Sequence, residues 1–311
     1  KQDAYGGDIF FTGPHWADGR SLTRLNVENG NIVWSKLYQI WSGNQFDTPF
    51  GIDIKANEII SFGKFLTYYG DPYVNIYRID KSSGDTLGTK FFNIDDTSGY
   101  RVGFLGNDPL KKLSNGNYVI SGSVFGAYQY NWDGSTPLYQ GGVAEFDSSL
   151  NFIKAYCFKN STESNMQNTN ITIYPDGSGL FSMVHFISGY TADVFYTQFK
   201  NGQILKQRIR HYSAEGIPIT YEALRLQDGG DLTVKLIGDS IGNVNKIEFL
   251  KLHIADTASA CLGEDDNSTF MQPYKLKQVF LGFDSVGINV FQENPNKTVS
   301  VKSTNFDLLP G

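Results

Sequence analysis

A hairpin that the chain spells four times constrains its fold more than any other feature. LKKLSNGNYVISGSVFG, residues 110–126, runs polar-edged into the turn Asn115-Gly116 and returns in an apolar run from Tyr118 to Val124. Asn-Gly between two strand-like runs is a strong hairpin signal, because both residues tolerate a positive φ. The pattern recurs as ITIYPDGSGLFSMVHF about Asp176-Gly177, as ALRLQDGGDLTVKLIG about Asp228-Gly229, and as GIDIKANEIISFGKF about Ala56-Asn57. The opening GGDIFFTG reads as the returning strand of a further copy. With Thr12, Ser61, Ser121, Ser182 and Val234 taken as equivalent, the steps are 49, 60, 61 and 52 residues. This is a repeat protein.

A second register carries the same period. Downstream of each hairpin lies another strand pair: SLTRLNVENGNIVWSKLY, NIYRIDKSSGDTLGTKFF, GVAEFDSSLNFIKAYCF, FYTQFKNGQILKQRI and EFLKLHIADTASACLG. Leu25, Ile79, Phe146, Phe199 and Leu252 align, and Asn26, Asp80 and Asp147 follow where a strand enters a turn. Four short strands in roughly 50 residues are the signature of a β-propeller blade. A sandwich of unrelated hairpins does not explain the period, and β-helix repeats are much shorter. The expected fold is all-β, a propeller of four-stranded blades near 1–49, 50–107, 108–168, 169–220 and 221–262. Residues 263–311 begin a sixth blade, supply the strand that closes the ring, or start an appended β-domain. The 33 Gly, 18 Tyr and 23 Phe against 3 Met fit such a fold. No window shows a sustained helical period. Inner strands such as EIISFG and YVISGSV are expected to be apolar on both faces, since each blade packs between two others. The chain opens in the second strand of its first blade, so an earlier part is expected to be missing or trimmed.

Charge excludes some partners. The net charge of −6 is scattered through the loops without a basic stripe, so nucleic acid is not an expected partner. No apolar run approaches 18 residues and no amphipathic segment appears, so membrane insertion is not expected. Cys157 and Cys261 fall in units two apart, well beyond the ~7 Å Cα separation a disulfide allows. Cys157 is expected to be a buried hydrophobe, while Cys261 lies in a polar segment.

Together, FLKLHIADTASACLG, NGNYVISG and VAEFDSSLNFIKAYCF resemble the propeller regions of large secreted and surface proteins of Bacteroidota, over about residues 7–262. Many of those proteins are cargo of the type IX secretion system linked to gliding motility. Asp85-Thr86-Leu87, Asp239-Ser240-Ile241, Asp256-Thr257-Ala258 and Asp284-Ser285-Val286 match the tripeptide that this phylum O-glycosylates. The resemblance implies an extracellular or cell-surface, adhesin-like protein, with outer-membrane secretion machinery as a partner.

Catalytic constellations are scarce. His15, His185, His211 and His253 fall in different units without metal-site spacing. Asp95-Asp96 and Asp265-Asp266 are adjacent carboxylates in polar loops, whereas glycoside chemistry needs carboxyls facing each other at about 5–10 Å. GEDDNST is oxygen-rich without the EF-hand spacing. Trp34 in NGNIVWSK occurs once, unlike the repeated docking Trp of quinoprotein propellers. No catalytic residue, metal or cofactor is assigned. Aromatics gather instead in the loops after the second and fourth strands of units one to three, which emerge on one propeller face. These hold Trp16, Trp41, Tyr68, Tyr69, Tyr73, Tyr100, Tyr130, Trp132 and Tyr139. Rings offer apolar area and a polar edge at little entropic cost. Trp16, Trp41, Tyr69, Tyr130 and Trp132 are the candidate ligand-binding residues, for a carbohydrate or a protein. The expected function is a non-enzymatic binding or scaffold propeller; the alternative is a polysaccharide-active hydrolase or lyase.

Overall fold

The computed structural model describes residues 7–15, 19–39, 46–66, 72–94, 101–102, 110–125, 139–160, 166–188, 191–212, 217–238, 244–253, 264–279 and 289–292. Every regular element among them is a β-strand and every pairing is antiparallel. The strands form five open sheets in chain order. The first joins β1 (Ile9–His15), β2 (Gly19–Leu25) and β3 (Ile32–Gln39), and the second β4 (Phe46–Ile54), β5 (Glu58–Leu66), β6 (Pro72–Asp80) and β7 (Thr86–Ile94). In the third, β8 (Arg101–Val102) and β9 (Leu110–Lys112) both pair with β10 (Tyr118–Phe125), followed by β11 (Tyr139–Phe146) and β12 (Phe152–Asn160). The fourth holds β13 (Met166–Ile173), β14 (Ser178–Ser188), β15 (Thr191–Lys200) and β16 (Gln203–Tyr212). The fifth holds β17 (Ile217–Arg225), β18 (Asp231–Gly238) and β19 (Val244–Leu252).

The turns repeat a single construction. Gly116, Gly177 and Gly229 take φ of 86°, 78° and 82°, and each donates its N–H to the carbonyl three residues back. Only the glycine turns left-handed. Asn115, Asp176 and Asp228 keep negative φ and instead accept the N–H two residues on, from Asn117, Ser178 and Gly230. The side chain caps the turn rather than sharing its strain. Asn26, Asp80 and Asp147 likewise accept turn N–H groups, Asp147 from Ser149 and Asn151.

Strand pairing corrects one equivalence. Leu22, Ile76, Val143, Tyr196 and Phe249 sit opposite Thr12, Phe62, Ser121, Ser182 and Val234. Phe62, not Ser61, therefore occupies the repeated position. The Ala56-Asn57 turn lacks the glycine of the others, and Lys55 N–H bonds Glu58 O across it. Since side chains alternate along a strand, one residue of slip exchanges the two faces.

Each sheet packs face to face on the next through its own apolar cluster. Phe10, Leu22 and Trp34 of the first sheet meet Ile52, Ile59 and Ile79 of the second. Phe62 and Phe92 meet Phe146 of the third at ring-centroid distances of 5.7 and 5.1 Å. Phe158 stacks on Phe181 of the fourth at 4.4 Å. Val194, Tyr196 and Tyr212 meet Ala223, Leu250 and Leu252 of the fifth. The interior sheets are thus apolar on both sides: Ile59 serves one cluster and Ile60 the next. Cys157 is a buried thiol on β12; Cys261 lies outside the described residues.

Residues 264–279 and 289–292 pair in a way that no local sequence pattern marks. β20 (Glu264–Asp265) pairs with β16, β21 (Thr269–Tyr274) with β12, β22 (Leu276–Val279) with β7, and β23 (Asn289–Gln292) with β3. The tail runs back along the outer edges of the fourth, third, second and first sheets in turn. Unpaired edges template association with other chains, and this strap covers four of them.

Candidate functional site

Polar groups tie the sheets together inside their apolar clusters. Between the first and second sheets, Arg20 is fully buried. Its guanidinium donates to Asp47 at 2.6 Å, Ser61 at 2.7 Å and Asn75 at 2.7 Å, and lies 4.7 Å from the Tyr77 ring centre. Tyr77 donates its hydroxyl to Asp47 at 3.0 Å, and burial foremost pushes that phenol far above its usual range. Between the second and third sheets, Asp53 accepts from Lys112 at 2.9 Å and Tyr118 at 2.8 Å. Between the fourth and fifth, Asp231 accepts from Arg225 and Gln198, both at 2.7 Å, while Arg225 lies over Tyr174. Trp34 is structural too: its indole N–H donates to Lys81 O at 3.2 Å.

The interface between the third and fourth sheets opens instead into a groove of about 250 Å³. Three tight turns form its mouth: Leu113–Asn115, Pro175–Gly177 and Asn201-Gly202. Ser114 pins two of them, its N–H and hydroxyl each donating to Pro175 O at 2.8 Å. Val119, Val143, Ile173 and Phe199 make an apolar floor, and the strap contributes Met271. Tyr156 lies against Gly202, where a Cβ would come within 2.5 Å of the ring, and φ there is 82°. A side chain at 202 is excluded twice over.

The rim is charged but neutralised. Glu145 accepts from Asn117 at 2.7 Å and pairs with Lys154 at 3.3 Å; Lys154 in turn lies 5.9 Å from the Tyr156 ring centre. Asp176 accepts from the Ser178 hydroxyl at 2.6 Å and pairs with Lys200 at 3.0 Å. Burial raises its pKa, but the bonds from Ser178 and Lys200 outweigh that and hold the carboxyl at about 2. A general base works best with a pKa near the ambient pH, so Asp176 is an anion at neutral pH rather than a proton acceptor. An apolar floor with a few fixed polar groups is how ligand sites are generally built.

The sequence-derived candidates Trp16, Trp41, Tyr69, Tyr130 and Trp132 all lie outside the described residues, as do Tyr68, Tyr100 and the pair Asp95-Asp96. Tyr73 packs, half-buried, against the cluster between the first and second sheets. Asp265 pairs with Lys206 at 2.9 Å, whereas Asp266 accepts from Ser268, so these adjacent carboxylates serve different partners. His211 bonds Asp193 at 2.6 Å and His253 bonds Asp228 O at 3.0 Å. Among the described residues no three His, Cys, Asp or Glu side chains are grouped to hold a metal ion. Among them, too, no helix is long and apolar enough to cross a membrane. The groove escaped sequence reasoning because its turns look like simple strand closures. The unusual residue is Asn201, at φ 50° without being glycine.

No protein-family model matches the chain, and no curated protein is significantly similar to it.

Proposed function

We propose that the five sheets are blades of a β-propeller and that the chain is a non-enzymatic binding and scaffold module. It acts outside the cell, secreted or held at a bacterial surface, as the resemblance of its repeats to type IX secretion cargo implies. The sheets support the propeller reading by stacking in chain order, each with its own cluster against the next. One observation favours binding over catalysis: both carboxylates of the groove rim are engaged with cations, and Asp176 is held at about 2. Glycoside hydrolysis needs the opposite, a carboxyl whose pKa is raised so that it carries a proton to the leaving group.

The ligand of this reading is a carbohydrate or a protein. It is bound by the loop aromatics Trp16, Trp41, Tyr69, Tyr130 and Trp132, with the groove available to an apolar group that carries polar edges. The purified chain, passed over immobilised polysaccharides and bacterial surface proteins, should be retained without releasing reducing ends or unsaturated sugars. Trp41→Ala and Trp132→Ala should lose retention while melting where the parent does. Turnover of a polysaccharide would replace this reading with a hydrolase or lyase. Unchanged retention in both variants would move the ligand off the loop face.

A further inference from the structure

Lys154 on the third sheet stands where Trp34 stands on the first. Val143 and Leu22 are equivalent, Glu145 and Arg24 lie two residues beyond them, and these face Lys154 and Trp34 across the strand pair. Trp34 is 5% exposed, and its ring lies within 2.9 Å of where a Cβ on Gly84 of the second sheet would sit. Its indole closes the first interface at that level. Lys154 instead pairs with Glu145 on its own sheet and keeps 37% of its side chain in solvent. The corresponding space between the third and fourth sheets stays open as the groove.

Size and charge select an occupant. About 250 Å³ lies below the roughly 300–1,000 Å³ of pockets for drug-sized ligands, so the groove holds one small apolar group. The charged residues lining it are Glu145, Asp176 and Lys154, two carboxylates to one ammonium. That ammonium is already engaged, by Glu145 and by the ring of Tyr156. Asp176 pairs with Lys200 outside the lining, but the two side chains are 44% and 50% exposed, and pairs of this surface kind are weak. Asp176 therefore offers accessible negative charge beside an apolar floor.

We propose that the groove binds a small molecule made of an apolar body and one primary ammonium. The body lies on Val119, Val143, Ile173 and Phe199, and the ammonium bonds Asp176 at the mouth. A carboxylate in place of the ammonium is repelled by Glu145 and Asp176. The proposal rests on the reading of the chain as a binding module and makes no use of the loop aromatics.

Three probes on one skeleton test it: phenethylamine, phenethyl alcohol and hydrocinnamate. Titrated into the chain with its methionine methyls labelled, phenethylamine should shift the Met271 resonance to saturation. Phenethyl alcohol should bind about fivefold more weakly, the size of a half-exposed charge contact, and hydrocinnamate should not bind. Asp176→Asn should lower the affinity for the amine to that for the alcohol. Lys154→Trp, which copies the first interface, should abolish the shift while the melting temperature is retained. Equal affinity for amine and alcohol, tighter binding of hydrocinnamate, or full affinity for the amine in Asp176→Asn would overturn the ammonium contact. Saturation by none of the three, or an unchanged titration in Lys154→Trp, would overturn the site. Should Lys154→Trp fail to fold, Asp176→Asn still decides. Retention on polysaccharides or surface proteins is read without the amine, so failure of the loop-face reading is told apart from failure of this one.

Discussion

On the fourth sheet, Phe181 and Tyr196 bury their side chains on opposite sides, one against the third sheet and one against the fifth. On the fifth, the counterpart of Phe181 is Thr233, equally buried, while the counterpart of Tyr196 is Phe249, largely in solvent. The strand patterns are alike: an apolar run, a capped Asp-Gly turn, and an apolar return. The surroundings differ. The fourth sheet has a neighbour on each side and the strap strand β20 on its outer edge. Among the described residues the fifth has one neighbouring sheet. An apolar pattern states what a strand is able to bury, and the neighbour decides whether it does so.

The largest expected effect separates these two sheets. Phe181→Ala removes a ring stacked 4.4 Å from Phe158 and should cost about 3–5 kcal/mol. Phe249→Ala, at a solvent-exposed position, should stay within about 0.5 kcal/mol in dilute protein. Urea unfolding of both variants is the measurement. Comparable losses would break the comparison by showing that the fifth face is covered after all.

Next in size is the polar tie between the two sheets. Asp231 is fully buried and bonded to Arg225 and Gln198. Removing one partner of such a pair strands the other. Asp231→Ala should cost about 3 kcal/mol, the low end for buried pairs, because Arg225 keeps 29% of its side chain in solvent. The loss should be local. Hydrogen exchange should show β17–β19 amides losing protection while β14–β16 retain theirs. Uniform loss across both sheets would mean that they unfold as one unit.

The parts legible in the sequence are those governed by local rules. The Asn115-Gly116, Asp176-Gly177 and Asp228-Gly229 hairpins form because turn chemistry is local, and Asp80 and Asp147 mark strand ends because their carboxylates cap turn amides. The slip at Phe62 shows that residue type alone does not set strand register. Without a glycine the Ala56-Asn57 turn is shorter, and strand pairing rather than residue type sets the register. The strap was illegible for a deeper reason. MQPYKLKQV pairs through its backbone with the edges of two different sheets, so nothing in its side chains must repeat. The groove is built by turns about 60 residues apart, Ser114 against Pro175, and no single window of sequence contains it. The aromatic loops offered as the ligand site lie outside the described residues, and their test is the binding experiment.

The smallest expected effect compares the equivalent turn carboxylates, Asp176 on the fourth sheet and Asp228 on the fifth. Both cap a turn amide and both pair with a lysine, Lys200 and Lys251 respectively. For Asp228 the Lys251 bond comes first among the causes that lower its pKa, although its side chain is half-exposed just as that of Asp176 is. For Asp176 burial is the largest influence and opposes ionisation, yet the Ser178 and Lys200 bonds still bring the carboxyl to about 2. A carboxyl whose folded pKa lies below its unfolded value, about 3.9, stabilises the protein above that value. That contribution disappears as pH falls from about 4 to about 2. Because Asp176 is half-exposed, solvent screening limits it to less than about 1 kcal/mol. Urea unfolding at a series of pH values should therefore give a shallower decline over this window in Asp176→Asn than in the parent. Asp228→Asn should change the slope less. Carbon-detected titration of the two carboxyls supplies the independent check. An Asp176 carboxyl titrating near 3.9 would mean that the Lys200 pair does not form in solution, leaving the groove rim on that side an unpaired anion.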